Sequence, residues 1–206
     1  MSTDRSVLKS LAFGVATVIV TPSLASFFVR ARVLGRDRAL AGSTQALAIV
    51  PGVLGQYLRR AFLARTLARC HPSATIEFGT IFSKAGAIFD EQVYVGPRCH
   101  LGLVHLERDV LLAAGVHVPS GARTHGTDDP SVPMREQQGT LTMVRIGAGA
   151  WIGSAAVVMA DVGANSIVGA GSVVTAPVPE AVMAAGVPAR VLRSRAPQAA
   201  GVGQAR

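Results

Sequence analysis

Between Ile146 and Val174 the aliphatic residues fall on a fixed period. Ile146, Ile152 and Val158 are six apart, and Val162, Val168 and Val174 repeat the spacing. A glycine follows four of them, at Gly147, Gly153, Gly163 and Gly169. A period of six fits neither a helix nor a flat strand. It fits a coil with three flat sides, each side one hexapeptide with one inward aliphatic residue. Stacked turns of such a coil form three parallel sheets, with neighbouring strands about 4.8 Å apart. The small residue after each aliphatic falls near a corner, where a Cβ crowds the turn.

The same period begins less regularly near Cys70. Ile76 and Phe82 are followed by Phe89, Val95 and Leu101, then the count slips by one and resumes at Leu106, Leu112 and Val118. Val110 and Val116 add a second aliphatic to two of these hexads. A slip of one residue predicts a corner one residue longer or shorter, and the two runs together predict four to five coils. Between Val118 and Ile146 the pattern stops. The intervening segment is polar and cannot continue the coil, so residues 119–145 leave it as a long loop, and such loops often carry function. After Val174, Pro177 and Pro179 interrupt the strands. Ala181 to Ala185 read as a short turn or strand, and GVPARVLR folds back on the last coil.

The N-terminal third has a different pattern. Residues 11–29 hold no charge, with Arg5 and Lys9 before them and Arg30, Arg32, Arg36 and Arg38 after. That length is at the lower end for spanning a bilayer, and Pro22 lies just past its middle. Three readings fit: a membrane-associated segment, a helix packed on the soluble domain, and a signal peptide with a small-residue site at Ser23-Leu24-Ala25. Residues 39–69 read as helix, with Leu47, Val50, Leu54, Leu58, Phe62 and Leu67 at helical steps and a break at Pro51-Gly52. Arg59, Arg60, Arg65 and Arg69 are interleaved. Such a helix lies on a membrane surface, or it caps the open first coil, whose strand edges need cover. The expected division is residues 1–69 as a helical segment, 70–195 as the coil with its loop, and 196–206 as a disordered tail.

Composition narrows the function. The chain has 206 residues, enough for one domain and an appendage, and 22 glycines with only 5% aromatic residues. Its formal net charge is +8, almost all from arginine. The arginines are spread out along the chain, which argues against nucleic acid. Anionic lipid, or the phosphates of a nucleotide cofactor, account for the charge better. Cys70 and Cys99 form no CxxC and read as inert thiols in a reducing compartment.

Four stretches then stand in order: THGTDDPSVPMREQ, IGAGAWIGSAAVVMADV, VGAGSVVTAPVP and AGVPARVLR. From about Ile76 to Arg193 the chain resembles the galactoside, maltose, nodulation-factor and polysaccharide O-acetyltransferases of the hexapeptide-repeat family. The resemblance implies a mainly β fold, a left-handed parallel β-helix, and an acetyl-CoA-dependent transfer of acetyl to a sugar hydroxyl. It places the catalytic histidine at His125, a residue type suited to act as general base near neutral pH. It places the Ser154 N–H at the thioester end of the cofactor, and Trp151 along the pantetheine arm or at a subunit interface. Ala170, Thr175, Arg190 and Arg193 match the remaining coenzyme A positions, the arginines suiting phosphate. One departure is Ala176, where the family often has a cation. Asp128 and Asp129 are candidates to orient His125, or else plain turn residues.

The family assembles as a homotrimer with its sites between subunits, and no metal is expected. An exported protein would lose its cytosolic acyl donor, so the expected place is cytoplasmic, at the inner face of the cell membrane. The acceptor is then a sugar of a polysaccharide or lipid-linked glycan. The alternative is a non-catalytic or metal-binding β-helix protein. His100, His105 and His117 do not show the motif of the carbonic anhydrases that share this architecture.

Overall fold

The computed structural model describes residues 2–195, with side chains from residue 10 onwards; the expected disordered tail at 196–206 lies outside the described residues. Three helices come first: α1 (Ser2–Leu34), α2 (Arg36–Ala48) and α3 (Gly52–Thr66). The break expected at Pro51-Gly52 separates α2 from α3.

The rest is a parallel β-helix. Its first coil holds β1 (Arg69–Cys70), β2 (Thr75–Ile76) and β3 (Ile81–Phe82), and its second β4 (Ile88–Phe89), β5 (Tyr94–Val95) and β6 (His100–Leu101). The third holds β7 (Val104–Leu106), β8 (Leu111–Leu112) and β9 (His117–Val118). The polar loop follows, with one short 3-10 turn at Met134–Glu136. The fourth coil holds β10 (Val144–Ile146), β11 (Trp151–Ile152) and β12 (Val157–Val158). The fifth has a bridge at Val162, then β13 (Ile167–Val168) and β14 (Val173–Val174). A partial sixth bridges at Val178 and ends in β15 (Val182–Gly186), against which β16 (Ala189–Ser194) runs antiparallel. The first sheet is β1-β4-β7-β10, the second β2-β5-β8-β11-β13-β15-β16, and the third β3-β6-β9-β12-β14.

Each hexad aliphatic fills the interior. Ile76, Phe82, Phe89, Val95, Leu101, Leu106, Leu112, Val118, Ile146, Ile152, Val158, Val162, Val168 and Val174 are all buried, as are Val110 and Val116. Full burial of such a side chain is worth about 1.5–3 kcal/mol, so the repeat is the main source of stability. The glycines of the repeat answer a spacing demand. A Cβ on Gly153 would stand 2.5 Å from the amide nitrogen of Ala170 on the next coil. The slip between Leu101 and Leu106 is a shortened corner: β6 ends at Leu101 and β7 already begins at Val104.

The helices close the first coil, whose outer edge has no strand to pair with. Buried Arg59 donates to the carbonyls of Ile76 (3.0 Å), Leu47 (3.1 Å) and Val50 (2.7 Å). The Thr44 hydroxyl accepts from the Phe82 N–H at 3.2 Å. The Asp37 carboxylate accepts from the Ala85 N–H and pairs with Lys84, both at 2.9 Å. Arg59 and Thr44 thus satisfy an acceptor of β2 and a donor of β3 that would otherwise be orphaned.

The uncharged segment 11–29 is the middle of α1, which continues through Pro22. Its span Ser10–Leu34 is long and apolar enough to cross a membrane by length and composition, with mean hydropathy 1.9. In the structure one stripe of it, Ala16, Val20, Leu24 and Phe27, is buried against the other helices, with Phe27 meeting the Phe62 ring edge-on at 5.8 Å. Of the apolar positions at helical steps, Leu58 and Phe62 are buried, while Leu54 at the start of α3 faces outward beside Val53.

Candidate acyl-transfer site

The loop that carries His125 is a two-legged excursion. The Thr142 N–H donates to the Ser120 carbonyl at 2.8 Å, and the Thr140 N–H to the Arg123 carbonyl at 2.7 Å. The Gly126 N–H reaches the Gln137 carbonyl at 3.5 Å. The tip is held by Gln137, whose amide donates to the carbonyls of Asp129 (2.7 Å) and Val132 (2.8 Å) and accepts from the Asp129 N–H (3.2 Å). His125 thus sits on a leg tied to its partner leg on both sides. Its side chain is exposed and makes no hydrogen bond or ion pair with another described residue.

Asp129 does not orient the histidine. Its carboxylate accepts from the hydroxyl and the backbone N–H of Ser131, at 2.6 and 2.8 Å, which hold it below the usual carboxylate range. It is a turn residue. Gln137 and Gly139 were not among the expected site residues. The available signal was an amide and a glycine in the polar segment opposite His125, but only the pairing of the legs shows what they do.

The expected cofactor residues fall into rows along the coil. Outward positions of the second sheet stack as Trp151, Ile167, Met183 and then Arg193. The adjacent corner stacks Gly153, Gly169 and Ala185, and Ala185 pairs with Arg190. Ser154 and Ala170 stand beside this second row, linked by the Gly171 N–H donating to the Ser154 carbonyl at 2.8 Å. The Ser154 N–H donates to no other described residue. Trp151 points out of the coil and is 47% exposed, so it is not packed between coils. Arg190 and Arg193 are exposed.

Thr175 lies apart from these rows. It follows β14 at the corner between the third and first sheets, the same corner from which the His125 loop leaves two coils earlier. Ser154 and Ala170 mark the opposite edge of the third sheet. One chain therefore holds the histidine and the cofactor rows on two different edges.

The other histidines do not gather into one cluster. His100 and His117 stack on the outside of the third sheet with ring centroids 4.9 Å apart, and burial followed by the neighbouring ring pushes the His100 pKa down. His105 is on the first sheet, its Nε2 3.0 Å from Asp90. His71 shares a hydrogen bond with Ser73 at 2.8 Å. His100, His105 and His117 thus do not converge within one chain.

Comparison with known proteins agrees with this architecture. Residues 143–176 match the family model described as the hexapeptide repeat of succinyl-transferase. No curated protein matches the chain by sequence. Among solved structures, a maltose O-acetyltransferase from Clostridium difficile 630 is similar with a TM-score of 0.67 at 20% identity, over 79% of this chain and 88% of that one. A galactoside acetyltransferase in complex with coenzyme A is similar with a TM-score of 0.55 at 21% identity, over 82% and 90%. A variant of AntD, an N-acyltransferase from Bacillus cereus, in complex with dTDP and coenzyme A, is similar with a TM-score of 0.52 at 16% identity, over 60% and 70%. The fold is the left-handed parallel β-helix of the hexapeptide-repeat acyltransferases.

Proposed function

We propose that the protein is an acetyl-CoA-dependent O-acetyltransferase acting on a sugar hydroxyl of a polysaccharide or lipid-linked glycan, with His125 as general base. The observation that carries this reading is the pair of stacked rows that run from Trp151 and Ser154 along the coil and end at Arg193 and Arg190. An extended cofactor fits such rows, with its thioester at the Ser154 end and its phosphates at the arginines. A maltose and a galactoside acetyltransferase share the fold, and the latter was solved with coenzyme A.

In this reading neutral His125 takes the proton of the acceptor hydroxyl as its oxygen attacks the thioester carbonyl. The C–O bond forms, the C–S bond breaks, and the protonated histidine returns the proton to the departing sulfur, which leaves as coenzyme A thiol. The free Ser154 N–H is the donor for the oxyanion of the tetrahedral intermediate. Thr175 belongs to the cofactor surface at the other corner.

The site is completed by a second copy of the chain. His125 and the cofactor rows occupy opposite edges of the third sheet, so one copy's loop must face the next copy's corner. Threefold packing of a three-sided prism provides that arrangement. The exposed apolar ridge of Tyr94, Leu111 and Trp151 on the second sheet supports a homotrimer. The helical segment 1–69 holds the enzyme at the inner face of the cell membrane, and 70–195 forms the catalytic unit.

The test is acetyl-CoA turnover with a panel of sugar acceptors, wild type beside His125→Ala, together with coenzyme A binding by calorimetry. The expected result is a loss of roughly two to four orders of magnitude in turnover, with binding retained. A folded protein that binds no coenzyme A overturns the reading.

A further inference from the structure

We propose that the helical cap docks in the plane of an anionic lipid bilayer, with α1 lying along the surface and still packed on α3. This deepens the membrane attachment in the reading above and rests on it for no catalytic residue.

The first argument is that α1 is apolar on two opposite sides. Ala16, Val20, Leu24 and Phe27 face the other helices. Leu11, Val15, Val18, Val29 and Val33 are exposed on the other side, Val18 at 72%. A helix apolar all round needs cover on both sides. The outer stripe continues onto α3. A groove of about 440 Å³ runs between the two helices, walled by Leu11, Val15, Ile19, Val53, Leu54 and Tyr57. To cross a bilayer, α1 would have to leave α2 and α3, exposing the Phe62 ring that Phe27 now covers.

The second argument is charge, and it selects the occupant. Residues 1–69 contain ten Lys and Arg against two Asp, whereas residues 70–206 contain ten against ten. The whole net charge of +8 therefore belongs to the unit that bears the apolar patch. Arg32 and Arg38 are exposed where α1 meets α2. The Arg60 guanidinium lies 4.5 Å from the centre of the Tyr57 ring at the groove. Exposed apolar side chains flanked by cations match an interface of acyl chains and anionic headgroups.

The experiment is vesicle flotation of the full-length protein. One set of vesicles is phosphatidylcholine alone, and the other carries roughly one-third phosphatidylglycerol. The expected result is flotation with the anionic set, weakened at about 0.5 M salt. The double variant Val18→Glu, Leu54→Glu alters two exposed positions and should lower partitioning about tenfold or more. Its coenzyme A binding should match wild type, which separates failure of docking from failure of the catalytic reading. A fluorophore on Val18→Cys should be quenched more by a shallow spin-labelled lipid than by a deep one. Because both native thiols are buried, the label goes to one position. Equal flotation with neutral vesicles, stronger quenching by the deep lipid, or no flotation at all overturns the proposal. So does self-association that Val18→Glu abolishes in a protein that does not float.

Discussion

Gly139 lies flat against the peptide that joins Thr124 to His125. A Cβ at Gly139 would stand 2.3 Å from the carbonyl carbon and oxygen of Thr124 and 2.5 Å from the amide nitrogen of His125. No backbone tolerates that approach, so any side chain here moves the histidine's leg. Gly139→Ala is expected to lower turnover by about 10²-fold, the scale of a misplacement near 1 Å. The rows proposed for coenzyme A lie on another edge, so calorimetric affinity should not change. A parallel loss of affinity would show that the two edges are coupled.

Arg59 is 2% exposed and binds three carbonyls at the junction of α2, α3 and the first coil. Burial lowers its pKa, and the attraction of Glu77 opposes that. Arg59→Met takes the guanidinium from all three carbonyls, of which Leu47 still accepts from the Val50 N–H at 3.4 Å, at a cost of about 2–3 kcal/mol. Urea denaturation should show a lower midpoint. An unchanged midpoint would mean that water replaces the guanidinium.

Burial pushes the Cys70 thiol up to about 12 and the Cys99 thiol up to about 11, against the weaker pull of Arg60 and of nearby hydrogen bonds. Thiolate is the reactive form, so at pH 8 neither residue should react with iodoacetamide in the folded protein. Both should react after denaturation. Mass spectrometry of the alkylated protein reads this directly.

Asp90 sets an acid limit on the first sheet. Desolvation raises its pKa, but hydrogen bonds and charge from His105 and Arg69 outweigh this and hold it below its ordinary value. A depressed carboxylate contributes stability above its unfolded pKa, near 3.9, and loses it as pH falls through the folded value. Glu107 behaves alike. Desolvation raises it, and the Ala148 N–H and Arg145 bring it lower. Asp90→Asn should flatten the acid side of a melting-temperature profile between about pH 5 and 2. A mutant profile parallel to wild type would assign the acid transition elsewhere.

The core was readable because each coil repeats one demand. Ile146, Ile152 and Val158, and again Val162, Val168 and Val174, fall six apart so that their side chains share an interior, and all six are buried. The Pro51-Gly52 break was equally local. What could not be read was lateral position. Ser154 and Thr175 belong to neighbouring motifs, yet they fall on opposite edges of one sheet, because a coil returns to a given corner only every three sides. Gly139 was opaque for the same reason: its partner is fourteen residues away and touches it only once the loop closes.

The solenoid also acts as a ruler. Its cap seals the first coil, and the histidine's loop departs after the third. With about 4.8 Å between strands, the loop's root stands on the order of 10–15 Å above the first coil. If the cap is the anchor and the acceptor is a tethered glycan, as proposed, that height is a whole number of coils, and it decides how far along the glycan the modified hydroxyl must lie. Inserting or deleting one complete coil below the loop would shift the reach by a single step and leave the chemistry untouched.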